Sequence, residues 1–335
     1  MIISLTRFNH LSSADPVFEL LQQKAASRQT FSRAKGTFKN RQSTLKTYLA
    51  FCFRMKVDPQ APSYQQFTAY MEYAMISAKS PKTILNKVAH IRMHMKSVGV
   101  PLAPFYHQRV QAALDAIKRD KSYIPRPKLP IPMSALKKVL AQFHTDPMGR
   151  MQTAVVLLIF HGALRQSEVL PPSIKSFSCT YHLTRDDVRL TPDFAMVKIK
   201  AGKNLQLYNQ SREVTLIPAK DKRYCPISAL QAVLDDTPTA SPEEPMFMFP
   251  HSRLPVPTSF MNARWLRVLK TLGISPAPFS LHSLRKAAAT EAHRSGCSDQ
   301  QIKDFGGWTS SAYKHYITRD SHATVNLAIS KALQS

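Results

Sequence analysis

The sequence predicts a mainly α-helical protein with one small antiparallel β-sheet, organised as two domains. Three observations carry this. Apolar residues recur at helical spacing through most of the chain. The period shortens to near alternation only between about residues 180 and 217. A proline-rich, basic stretch, KSYIPRPKLPIPMS, divides the helical patterns into two groups. A length of 335 residues fits two domains better than one.

The elements follow in order. Residues 1–30 form an N-terminal extension with one short helix, PVFELLQQKAA. A helical domain spans 31–124. Leu45, Tyr48, Leu49 and Phe53 share one helix face, and Phe67, Tyr70, Met71 and Ala74 share another. Ser80-Pro81 gives the N-cap and first-turn proline of a third helix that ends near Gly99. HQRVQAALDAIKRD is a fourth. The linker is placed at 125–133, and a second domain at 134–320. That domain opens with SALKKVLAQFH and GRMQTAVVLLIFHGAL as helices. Strands follow near Thr180–Leu190, Phe194–Lys200 and Arg212–Ile217, with AGKNLQ and NQS as turn material. Helical patterns return in CPISALQAVLDD, PTSFMNARWLRVLKTLG, SLHSLRKAAATEAHRSG and SDQQIKDFGG. The tail, 321–335, is loosely amphipathic.

Charge narrows the function. There are 46 Lys and Arg against 21 Asp and Glu, a net charge of +25. Residues 1–130 hold 21 basic and 6 acidic residues, and the remainder 25 and 15, so both halves are basic. A polyanion partner accounts for this, because Lys and Arg neutralise phosphates and release counterions. A surface made basic for solubility alone would repel itself without compensation. No run of about 18 apolar residues suggests a membrane span, and the N-terminus lacks the pattern of a secretory signal. Cys52, Cys179, Cys225 and Cys297 form no CxxC pair, so neither a zinc ribbon nor a disulfide framework is expected.

Four groups of residues invite chemistry. In HGALRQSEVL, Arg165 and Glu168 stand three apart, close enough for the carboxylate to support the guanidinium. In SLHSLRKAAATEA, His282 and Arg285 stand three apart near a helix start that Ser280 could cap, which combines an anion site with a proton donor. Lys203 lies in the apparent hairpin turn, with Lys198 and Lys200 as neighbours that could serve instead. GGWTSSAYKHYITRD places Trp308, Tyr313 and Tyr316 close together. Taken singly, each has an ordinary structural reading: an ion pair, a capped helix, a solvated lysine, packing aromatics.

Their order is more specific. Arg-x-x-Glu, a hairpin Lys, His-x-x-Arg, then Gly-Gly-Trp and a Tyr resembles the tyrosine recombinase, or phage integrase-like, family. The resemblance covers the second domain and extends to the basic helical domain in front of it. GGWTSSAYKHYI and YCPISAL look most like the recombinases of DIRS-type retroelements and Crypton-type elements. The resemblance implies a core-binding domain and a catalytic domain forming a C-shaped clamp on double-stranded DNA. Arg165 and Arg285 would hold the scissile phosphate, Lys203 would protonate the leaving 5′ oxygen, and His282 would act as acid/base or hydrogen-bond donor. Trp308 stands where many relatives have His and can donate a hydrogen bond but not shuttle a proton. Glu168 would support Arg165. Tyr316 would be the nucleophile, with Tyr313 as the alternative. No cofactor or metal is implied.

Self-association is implied too, as a dimer on one site and a tetramer in synapsis, with the tail possibly exchanged between protomers. The expected function is integration or excision of a mobile element. The alternatives are type IB topoisomerase-like strand relaxation and a catalytically inactive, recombinase-derived DNA-binding protein. Location would be nuclear in a eukaryote and cytoplasmic otherwise, not secreted.

Overall fold

The computed structural model describes residues 19–20, 23–24, 35–78, 80–120, 122–124, 127–200 and 211–315. The expected helix PVFELLQQKAA falls largely outside these, as do Lys203, Tyr316 and the tail. The chain divides into two compact units, 1–125 and 126–335.

The first unit is all helical in its described part: α1 (Lys35–Met55), α2 (Tyr64–Ser77), α3 (Pro81–Ser97), α4 (Ala103–Tyr106) and α5 (Gln108–Lys118). Of the stripe residues read from the sequence, Tyr48, Phe67, Tyr70, Met71 and Ala74 enter its core. Tyr48, Phe67, Tyr70, Met71, Ile84, Val88, Ile91, Phe105 and Val110 are all buried. Aromatic edges meet faces there, with Tyr48 and Tyr70 at 5.0 Å and Phe67 and Phe105 at 4.8 Å between centroids. Leu49 and Phe53 depart from expectation and face outward, Phe53 being 91% exposed. At the start of α2, Ser63 and Gln66 form a reciprocal capping box. Ser80 is the N-cap of α3 as expected, but its hydroxyl meets that of Thr83 rather than a backbone amide.

The second unit is built around α7 (Pro147–His161), which is buried on nearly all sides from Met151 to Ile159. A helix that is apolar all round belongs inside a core. Around it lie α6 (Met133–Leu140), the short α8 (Gln166–Val169), α9 (Pro226–Asp235), α10 (Thr258–Thr271), α11 (His282–Arg294) and α12 (Asp299–Gly306). A three-stranded antiparallel sheet, β1 (Val188–Leu190), β2 (Ala195–Ile199) and β3 (Arg212–Leu216), runs in the order β1-β2-β3. Ile199 pairs with Arg212 and Val197 with Val214. Ala195, Val197, Ile199, Val214 and Leu216 point into the main core. The first strand is shorter than expected. Asp187 accepts from both the amide and the hydroxyl of Thr184, which curls residues 185–187 into a 3-10 turn before the strand begins.

The described part of the proline-rich stretch lies on the second unit. The Leu129 amide donates to the Pro278 carbonyl at 2.8 Å, Lys286 Nζ donates to the Lys128 carbonyl at 2.5 Å, and Ile131 is buried in the core. This brings the segment alongside α11, which carries His282 and Arg285. Among the described residues no helix is long and apolar enough to cross a membrane.

Candidate active site

The site starts at the end of α7. Gly162 closes the helix, and Ala163 takes the left-handed conformation at φ 44°, one that an alanine adopts only at some cost. The chain can then turn sharply into Leu164 and Arg165. Arg165 precedes α8 rather than lying within a longer helix. Its amide donates to Glu168 Oε2 at 2.7 Å and its Nη1 to Oε1 at 2.6 Å. One carboxylate thus caps the short helix and fixes the arginine at the same time. Glu168 is 4% exposed, and burial of such a charge is tolerable only because it is paired.

The second arginine comes from α11. This helix begins at His282, and Ser280 is not its cap: the Ser280 amide donates to the Ser283 hydroxyl instead. Arg285 is fully buried. Nη1 donates to the Ala163 carbonyl, and Nη2 to the Gly306 carbonyl at 2.8 Å. Glu168 Oε2 is 3.9 Å from Nη1, so the same carboxylate faces both arginines. The Arg285 guanidinium lies over the Trp308 ring, 4.3 Å from its centroid, a cation–π contact that strengthens with desolvation. Burial, followed by the charges of Arg285, Lys286 and Arg165, holds the His282 imidazole down to about 4. It is therefore neutral near pH 7.

The third piece is the turn after α12. Gly307 adopts φ 64°, closing the helix with a left-handed cap. At Gly306 a Cβ would fall 1.9 Å from Trp308 Cζ3, so the indole occupies the space that any side chain would need. Trp308 is nearly buried, against Ala163, Ala288, Ala289, Ile302 and Tyr313. Tyr313 is fully buried with its ring 5.9 Å from that of Trp308. Burial and the nearby Asp299 carboxylate push its phenol up to about 12, away from the phenolate a nucleophile requires.

Of the predicted residues, Arg165, Glu168, His282, Arg285, Trp308 and Tyr313 converge here, while Lys203 and Tyr316 lie outside the described residues. The two neighbouring lysines are placed elsewhere. Lys200 Nζ is 2.5 Å from Asp187 and donates to the Cys179 carbonyl, and Lys198 stands on the outward face of β2.

Sequence reasoning missed Arg212. It opens β3, its Nη1 donates to the Phe305 carbonyl at 3.1 Å, and its guanidinium lies against Gly307. Burial, partly offset by Glu168, lowers its affinity for its proton. The signal was present in the strand's parity: residues 212, 214 and 216 share the inward face, so a charged side chain at 212 points toward the core. Arg165 and Arg285 thus share one carboxylate among the described residues, and its charge is also felt at Arg212.

No family model matches the chain. Over 286 residues it is 26% identical to an integrase/recombinase XerD homologue of Selenomonas ruminantium, covering 82% of this chain and 78% of that protein. The Tn1549 transposon integrase, solved in complex with transposon right end DNA, superimposes with a TM-score of 0.65 at 12% identity, over 94% of this chain and 98% of that one. A lambda integrase dimer bound to a COC′ core site gives 0.52 at 15% identity, over 90% and 94%.

The fold, helical with a small three-stranded antiparallel sheet, is therefore that of the tyrosine recombinase catalytic domains. The sequence relative is likewise named an integrase/recombinase.

Proposed function

We propose that this chain is a site-specific DNA recombinase that cuts and rejoins strands through a covalent 3′-phosphotyrosine on Tyr316. The observation that carries this reading is the arginine cluster. Arg165 and Arg285 share the single carboxylate of Glu168, leaving a local excess of positive charge in a largely buried setting. Such an excess is costly unless an anion completes it, and a phosphodiester passing to a pentacoordinate transition state gains the charge that two fixed guanidiniums stabilise. The integrases it resembles are solved on DNA, and the net charge of +25 suits the same partner.

In the proposed reaction the Tyr316 oxygen attacks phosphorus, its proton passing to the neutral imidazole of His282, and the bond to the 5′ oxygen breaks. Lys203 gives that oxygen its proton. The phosphodiester energy is kept in the phosphotyrosine, so the reverse attack by a 5′ hydroxyl rejoins the strand without an external energy source. His282, neutral near pH 7, donates a hydrogen bond to the phosphate. Two protomers would act on a site and four in synapsis, moving a mobile element of DIRS or Crypton type.

Suicide substrates made from the DNA flanking the source gene provide the test. A covalent protein–DNA adduct is expected, lost in Tyr316→Phe and kept in Tyr313→Phe. An adduct that persists in Tyr316→Phe refutes the nucleophile. Relaxation of any supercoiled plasmid without site preference would favour a topoisomerase, and tight binding with no adduct on any substrate would favour a DNA-binding protein without activity.

A further inference from the structure

The proposed chemistry gives roles to Arg165 and Arg285 but none to Arg212, whose surroundings are unusual for a strand residue. Arg212 opens β3 on its inward face. Its Nη1 donates to the Phe305 carbonyl, the last residue but one of α12. A Cβ at Gly307 would meet its Nε, Cζ and Cδ at 3.2 to 3.4 Å, so the flat guanidinium lies directly against the glycine backbone. Its Nη2 is buried and makes no hydrogen bond among the described residues. Among the described residues the guanidinium is thus held through one carbonyl and one glycine, both in the Phe305–Gly307 turn. Gly306, between them, accepts from Arg285 Nη2 and abuts the Trp308 indole.

We propose that Arg212 is a positioning residue. It pins the Phe305–Gly307 turn to the sheet and so sets the places of Arg285 and Trp308 without itself touching the phosphate. The functional half of this rests on the recombinase reading, while the geometric half does not. A lysine could not substitute fully, because one ammonium cannot both donate to Phe305 and lie flat against Gly307.

The test has two arms, both on the full chain. The protein contains two tryptophans, Trp265 and Trp308. With 5-fluorotryptophan incorporated, it gives two ¹⁹F resonances, assigned by Trp308→Phe. Arg212→Ala is expected to shift or broaden the Trp308 resonance and leave that of Trp265 in place. In the second arm, the rate of adduct formation at saturating DNA is expected to fall about tenfold to hundredfold, as for a catalytic group displaced by about an ångström, while DNA affinity and its salt dependence stay as in the wild type. A role confined to stability would lower the melting temperature and leave that rate unchanged well below it.

An unmoved Trp308 resonance overturns the proposal. So does a loss that lies wholly in DNA affinity, which would make Arg212 a phosphate contact. Should Arg212→Ala fail to fold, Arg212→Lys carries both arms, with the Trp308 resonance still displaced and the saturating rate still reduced. Absence of an adduct in the wild type strikes the recombinase reading alone, since the fluorine arm still decides whether Arg212 holds the turn.

Discussion

His282 shows how the site sets the chemistry of one residue. Half-buried, and under the charges of Arg285, Lys286 and Arg165, its imidazole is held down to about 4 in the folded chain against the ordinary 6.5. Between those values the unfolded state binds more protons, so stability rises with pH across that window and is lost as pH falls through it. At about 1.4 kcal/mol per pH unit of separation, the upper figure is near 3 kcal/mol. Chemical denaturation at stepped pH should show this slope, and His282→Gln should flatten it. A bound phosphate would raise the same imidazole, so DNA affinity is expected to increase as pH falls toward 4 and to lose that dependence in His282→Gln. Gly306 is the second case at this scale. Its missing Cβ makes room for the Trp308 ring, so Gly306→Ala should displace the indole and reduce adduct formation by an order of magnitude or more. A fully active Gly306→Ala would mean that the indole position is unimportant.

Among the elements, the shortest has the largest part. The helix α8 has four residues, too few to be stable alone, and it exists because Glu168 caps it and pairs with Arg165. The same carboxylate faces the fully buried Arg285. Removing it leaves charge uncompensated in the core. Glu168→Ala should therefore cost about 3–5 kcal/mol, measured as a lower denaturation midpoint of the second unit. A loss below about 1 kcal/mol would show that the arginines find other partners. The left-handed Ala163 belongs to the same local design. Its carbonyl accepts from Arg285, so the turn that delivers Arg165 also anchors the second arginine.

At the scale of the molecule, each of the two units has a main core of its own. The first is aromatic and lies wholly in residues 48–117, and the second surrounds α7. Phe67→Ala, at a fully buried position, should cost about 3–5 kcal/mol and lower only the transition of the first unit in calorimetry. A shift of both transitions would show that the units unfold together. The basic charge of both halves predicts DNA binding that weakens steeply with salt, with log K falling linearly in log salt. A flat response would count against a duplex gripped through its phosphates by both units.

The sequence by itself determined the helical class, the stripe residues Tyr48, Phe67, Tyr70, Met71 and Ala74 of the first core, and the order of charged residues that pointed to phosphate chemistry. These are local or periodic properties, written in spacing and composition. Only the tertiary structure decided which groups meet. Glu168 reaching Arg285 as well as Arg165, Arg285 stacked on Trp308, and Lys200 engaged by Asp187 are meetings between separate elements. Arg212 shows the boundary between the two. Strand parity aimed it inward, but its hold on the Phe305–Gly307 turn depends on a crossing more than 90 residues away in the chain, and no periodicity within one strand encodes a meeting of that kind.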